Sequence, residues 1–133
     1  MESLYGRKVI ASSNLASSAM IIKKQTVKPF DFNGLKILDY TSKLKSSSSF
    51  ARIIVAPKAK HPLAYSKRSD KYYYVLSGQI EFILNEIKYL LYKSDFCIVK
   101  KGQRFSYSNI STKQAELLLI HTPSFILKTD VFV

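Results

Sequence analysis

From residue 50 to residue 121 the chain is a series of short apolar runs, each ended by a turn signal, and this rhythm narrows its fold more than any other feature. The runs cover residues 50–56, 72–76, 79–84, 87–92, 95–99, 104–108 and 115–121. Between them stand Ser77-Gly78, Asn85-Glu86, Lys93-Ser94 and the Lys100 to Gln103 stretch with Gly102. Turns spaced about 8–12 residues apart leave no room for helices and predict an antiparallel sandwich or barrel. Ile80, Phe82 and Leu84 alternate with Gln79, Glu81 and Ile83, so one face of that strand is core. Tyr, Phe, Ile and Val are abundant throughout and favour strands. The all-β domain is placed at 46–133. Residues 1–45 form a separate N-terminal segment, extended or weakly ordered, joined through the serines at 46–49.

One domain accounts for 133 residues. The formal net charge is +12, which predicts a polyanionic partner such as DNA, RNA or an acidic protein face. Cys97 is the single cysteine, so no intrachain disulfide forms, in keeping with a reducing compartment. No apolar run approaches the ~20 residues of a membrane helix, and no membrane association is expected. The first 20 residues lack the apolar stretch of a secretory signal.

The stretch from Lys71 to Asn109 resembles the two sequence motifs of the cupin superfamily. Gly78 fills the glycine place of the first motif, and Gly102 and Asn109 match the second. The resemblance implies a cupin-type antiparallel β-barrel, a jelly roll. Its metal-ligand positions are degenerate. Lys71 stands in the Glu place and Phe105 in the second-motif His place, and the two earlier His places fall on Ala64 and Ser66 or on Tyr65 and Lys67. An ammonium and a phenyl ring are no ligands for a divalent transition metal, so no metal and no cofactor are expected. Inside such a barrel the remaining ligand-facing positions read Lys71, Tyr73, Phe105 and Tyr107. His61, beside Pro62, is expected at the surface, His121 as a hydrogen-bonded histidine at the barrel rim, and Cys97 as a small buried filler.

The segment from Leu76 to Leu119 resembles the C-terminal cupin-like domain of the centromere protein C family. The matching residues are Leu84-Asn85-Glu86, Tyr89, Leu90, Asp95, Val99, Gly102, Asn109-Ile110-Ser111 and the run from Glu116 to Leu119. Upstream, Lys24, Lys28, Pro29, Phe30, Phe32 and Tyr40 follow the register of that family's nucleosome-binding motif, with Thr26 in its arginine place and Asn33 in its tryptophan place. The resemblance implies a non-enzymatic inner-kinetochore scaffold in the nucleus. Its barrel would homodimerise. Its basic-aromatic arm would meet the histone acidic patch and the tail of the centromeric histone variant on a centromeric nucleosome, with DNA as a further partner. A different class of function stays open beside it: a metal-independent cupin that binds or isomerises a small ligand such as a nucleotide-linked sugar, with Tyr73 and Tyr107 as its polar groups. A third is a barrel that binds nucleic acid without histones.

Overall fold

The computed structural model describes residues 20–133. Eleven antiparallel strands among these residues form two facing sheets, so the expected all-β barrel is what the chain forms. The first sheet runs β1 (Phe30–Phe32), β2 (Leu35–Asp39), β3 (Ser49–Val55), β10 (Ala115–Thr122), β5 (Asp70–Ser77), β8 (Phe96–Val99). The second runs β11 (Asp130–Phe132), β4 (Lys60–Ser66), β9 (Phe105–Ser108), β6 (Gln79–Leu84), β7 (Ile87–Tyr92).

Period-two alternation builds the interior. In β3, Ser49, Ala51, Ile53 and Val55 are buried, and in β10 Ala115, Leu117, Leu119 and His121 are buried. Cross-strand pairing lines these up in rows. Ile53, Leu117 and Val75 form an apolar row at one end. Ala51, Leu119, Tyr73 and Cys97 form the next. Ser49, His121, Lys71 and Val99 form the last, so polar residues collect at one end of the barrel. From the facing sheet come Phe82, Phe105 and Tyr107, whose rings meet Tyr73 at centroid distances of 5.2 to 6.0 Å. Such aromatic pairs add about 0.5–1.5 kcal/mol each beyond burial.

The turns follow the sequence chemistry. Asn85 and Glu86 both adopt positive φ, as a two-residue hairpin turn requires. At Gly78 a Cβ would lie 2.7 Å from the Ala115 Cα, so only glycine fits. Asn109 is fully buried; its Nδ2 donates to the Val55 and Lys113 carbonyls, and its Oδ1 accepts from the Ser111 amide.

The placing of residues 1–45 outside the barrel needs correction. Asn33 and Gly34, both at positive φ, turn a hairpin whose second strand pairs with β3, so residues 30–39 extend the first sheet. The serine run is no free linker either. Ser49 is buried in β3, and its Oγ accepts from the Phe125 amide at 2.7 Å. The expected weak order of residues 1–22 falls, for residues 1–19, outside the described residues. Among the described residues, no helix is long and apolar enough to cross a membrane.

Candidate active site in the barrel mouth

The polar end of the barrel opens into a cavity of about 200 Å³. Its floor is Tyr73 and Tyr107, its polar wall is Lys71, His121 and Asp130, and its rim is aromatic. The first and last strands of the described residues help build that rim. The β1–β2 hairpin contributes Phe30 and Phe32, and the C-terminal segment contributes Phe125 and Phe132.

Lys71 is 2 % exposed. Its Nζ donates to His121 Nε2 at 2.9 Å and to Asp130 Oδ2 at 3.0 Å. Two aromatic rings, Phe105 and Phe125, lie 5.5 and 5.6 Å from the same nitrogen. Burial pulls the Lys71 ammonium below its ordinary range, and the Asp130 carboxylate opposes that shift. Burial, aided by the charge of Lys71, lowers His121 to about 3. The His121 ring is therefore neutral at pH 7, with Nε2 as acceptor and the proton on Nδ1.

His61 lies on β4, not in a surface loop. The expected surface position is corrected by a break in the β4–β9 register between His61 and Ala64, at Pro62, which seats the imidazole between Tyr107 and Phe32. Its Nδ1 donates to the Pro62 carbonyl at 2.7 Å, which leaves Nε2 as the unprotonated nitrogen. Burial lowers its pKa to about 4, so this nitrogen is a free base at neutral pH. The phenols behave oppositely: burial raises both Tyr73 and Tyr107, so each is a proton donor. Two buried atoms at this site make no well-formed hydrogen bond in the protein, Tyr107 Oη, which faces only the Tyr73 phenol, and Asp130 Oδ1. Each such atom costs about 1–3 kcal/mol.

The residues at the metal positions do not fit a metal. Ala64 offers a methyl group and Phe105 a ring. Ser66 Oγ accepts from the Arg68 and Ser69 amides, and Lys71 is an ammonium paired to Asp130. Among the described residues, no three His, Cys, Asp or Glu side chains come together as a ligand set.

The residues expected to reach a nucleosome are only partly on a free arm. Lys24, Lys28, Pro29 and Phe30 are exposed or nearly so. Phe32 instead packs on His61 and Phe132, with both centroid distances 5.7 Å. Tyr40 stacks on Phe50 at 5.8 Å. Asn33, in the tryptophan place of the motif, is a turn residue. Cys97 is half-buried behind Tyr73, and burial raises its thiol to about 11, which makes it a packing residue.

A family model described as "Cupin domain" matches residues 51–121, more than half of the chain. The chain is a cupin. Structures of the Streptomyces nucleoside dehydratase Pac13, one of them a variant with uridine, are similar to this cupin at 23% identity and a TM-score of 0.76, covering 86% of this chain and 91% of that one. The Schizosaccharomyces pombe Cnp3 cupin domain is similar at 23% identity and TM-score 0.66, covering 76% and 72%. KdgF from Halomonas sp. follows at 13% identity and TM-score 0.70, covering 79% and 94%. No curated protein matches the sequence. The expectation of a non-enzyme is overturned by this company, because cupins with this fold include a nucleoside dehydratase and an oxalate decarboxylase. Its physical weakness lay in equating lost metal ligands with lost chemistry, since buried acids and bases remain in the same cavity.

Proposed function

We propose that this cupin binds a small, uncharged ring compound of the nucleoside kind in the barrel mouth and acts on it by metal-free proton transfer, with elimination of water as the reaction. The observation that carries this reading is the pair of unpartnered atoms at the cavity, Tyr107 Oη as a donor and Asp130 Oδ1 as an acceptor. A ligand that offers a carbonyl or ether oxygen to the first and a hydroxyl or N–H to the second removes two burial penalties at once. Lys71 and Asp130 cancel in charge and both histidines are neutral, so the site suits an uncharged ligand better than a phosphorylated one.

Elimination of water needs a base for a C–H proton and an acid for the departing hydroxyl. His61 Nε2 is the base, and the phenols of Tyr73 and Tyr107 are the acids. Support comes from the Pac13 structures with uridine, whose variants replace one histidine and two tyrosines. Those two tyrosines are separated by the same number of residues as Tyr73 and Tyr107. The histidine precedes the first of them by one residue more than His61 precedes Tyr73. The test is calorimetric titration with uridine and its dehydrated analogues, followed by mass spectrometry for a product lighter by one water. Binding that survives in His61→Gln while turnover disappears supports the reading; no binding of any nucleoside at millimolar concentration overturns it.

A second reading concerns assembly, and a specific surface favours it. On the outer face of the first sheet, Tyr74, Phe96, Ile98 and Ile120 are exposed side by side on β5, β8 and β10. Such a contiguous apolar face suits a twofold contact with a second copy. The centromeric role expected from the sequence would rest on that dimer and on Lys24, Lys28 and Phe30. A pull-down with nucleosomes carrying the centromeric histone variant, compared across Lys24→Ala and Phe30→Ala, tests it.

A further inference from the structure

We infer that Lys71 is a nucleophile, one that condenses through its Nζ with the carbonyl carbon of an aldehyde or ketone entering the barrel mouth to form an imine. The inference rests on the reading of the mouth as a small-molecule site and adds a covalent step to it. Lys71 is on the inner face of β5, walls the cavity, and is closed off from bulk water. A lysine placed only to stabilise the fold needs one anionic partner. This one faces an anionic acceptor and a neutral acceptor together, Asp130 Oδ2 and His121 Nε2, with the rings of Phe105 and Phe125 beside it.

That geometry solves the two difficulties of lysine nucleophiles, which are to lose a proton and to expel water. The proton of the ammonium passes along the 3.0 Å bond to Asp130 Oδ2, turning a buried ion pair into a neutral amine and a carboxylic acid. Burial pulls Lys71 in that direction, while the charge of Asp130 and its hydrogen bond hold the proton on the lysine until a carbonyl carbon is there to take the lone pair. The amine lone pair then attacks the carbonyl carbon. As the carbon–oxygen π bond breaks, the nitrogen's proton moves to the oxygen, giving a carbinolamine. Asp130 returns its proton to the carbinolamine hydroxyl, the C–O bond breaks, and one water leaves. The product is a protonated imine on Lys71 beside an Asp130 carboxylate, so the ion pair at the end has the same charges as at the start. No oxidant or further reactant is required. The two phenyl rings then flank a cation and keep water from hydrolysing it. A cavity of about 200 Å³ is larger than the ~150 Å³ that accommodates benzene in other proteins, so an aromatic aldehyde fits.

The probe is benzaldehyde at limiting concentration with cyanoborohydride at pH 6.5, followed by peptide mapping of the benzyl mark on the whole chain. Solvent-exposed lysines are almost wholly protonated at that pH and react slowly. The expected result is at least tenfold more label on the Lys71 peptide than on any other lysine peptide, lost in Lys71→Arg and reduced by excess uridine. Label spread over other lysine peptides with Lys71 unmodified overturns the inference, and this outcome is read on the wild-type chain, so it does not depend on a variant folding. Uridine binding measured on the same sample separates the two readings. Uridine bound with Lys71 unlabelled removes the nucleophile and leaves the nucleoside site. Lys71 labelled with no nucleoside bound leaves a carbonyl site and removes the nucleoside reading.

Discussion

Phe32 and Phe132 touch across the barrel mouth, with ring centroids 5.7 Å apart, and so join the first strand of one sheet to the last strand of the other. Both rings also lie on His61. The terminal strands are each three residues long, β1 paired with β2 and β11 with β4, and these rings join the two across the mouth. Replacing Phe132 with Ala removes a half-exposed ring and its contacts, with an expected cost of about 1–2 kcal/mol in urea denaturation. Hydrogen exchange of the Val131 and Val133 amides should quicken by tenfold or more, while that of β5 and β10 should follow only the global change. Equal acceleration in all strands would show that the rim is not a separate unit.

Asp130 is the anion that neutralises a lysine enclosed in the barrel. Removing one member of a buried pair leaves the other charge without compensation, which costs about 3–5 kcal/mol. Asp130→Ala should therefore lose a sizeable part of the stability of a domain this small, by chemical denaturation at pH 7. The double variant Lys71→Met with Asp130→Leu should regain most of the loss, because both desolvation penalties disappear together. A double variant as unstable as the single one would mean that Asp130 acts by shape and not by charge.

Tyr107 Oη makes no well-formed hydrogen bond in the protein and faces only the Tyr73 phenol, so its removal separates stability from binding. Tyr107→Phe should leave stability unchanged or raise it by up to about 1 kcal/mol, since a buried donor without an acceptor is lost. Uridine affinity should fall about fivefold to twentyfold in calorimetry, as a hydrogen bond to the ligand goes missing. A marked loss of stability would show that the phenol is already satisfied inside the fold.

How far these relationships were legible in the sequence depends on how local their causes are. The strands from β5 to β10 follow from turn chemistry and alternation, both of which span only a few residues. The inward positions of Lys71, Tyr73, Phe105 and Tyr107 follow from motif register for the same reason. The β1–β2 hairpin carried a strong signal in Asn33-Gly34, but the basic-aromatic residues around it suggested an arm. β4 was hidden by Pro62 and its register break, and with it the place of His61. Asp130 had no local signal at all. It meets Lys71 only because β11 pairs with β4 on the far sheet, a contact 59 residues long in sequence.

The apolar outer face makes a prediction about assembly. Phe96 is 55% exposed and stacks on Tyr72 at 6.2 Å, on the edge strand of the patch. A charge there cannot be buried in a twofold contact without a large penalty, and symmetry applies it twice. Phe96→Glu should give a monomer by sedimentation velocity at concentrations where the unaltered chain is a dimer, with little change in thermal stability. A wild-type chain that is monomeric throughout the micromolar range would remove the dimer.

Stability should fall with acid, and the histidines set the window. His61 and His121 have folded-state pKa values of about 4 and about 3, both below the 6.5 of an unfolded chain. Below pH 6.5 the unfolded chain therefore binds protons that the folded chain refuses. Each histidine contributes stability that is fully present above about pH 6.5 and is lost as pH falls toward its folded value, with a slope approaching about 1.4 kcal/mol per pH unit. Denaturation midpoints should accordingly drop steeply between pH 6 and pH 4. His121→Asn, which retains a side-chain oxygen to accept from Lys71, should flatten that slope by about half, and His61→Gln by a similar amount. A wild-type midpoint that is constant from pH 7 to pH 4 would mean that neither imidazole is held neutral, and the assignment of His61 Nε2 as a free base would fall with it.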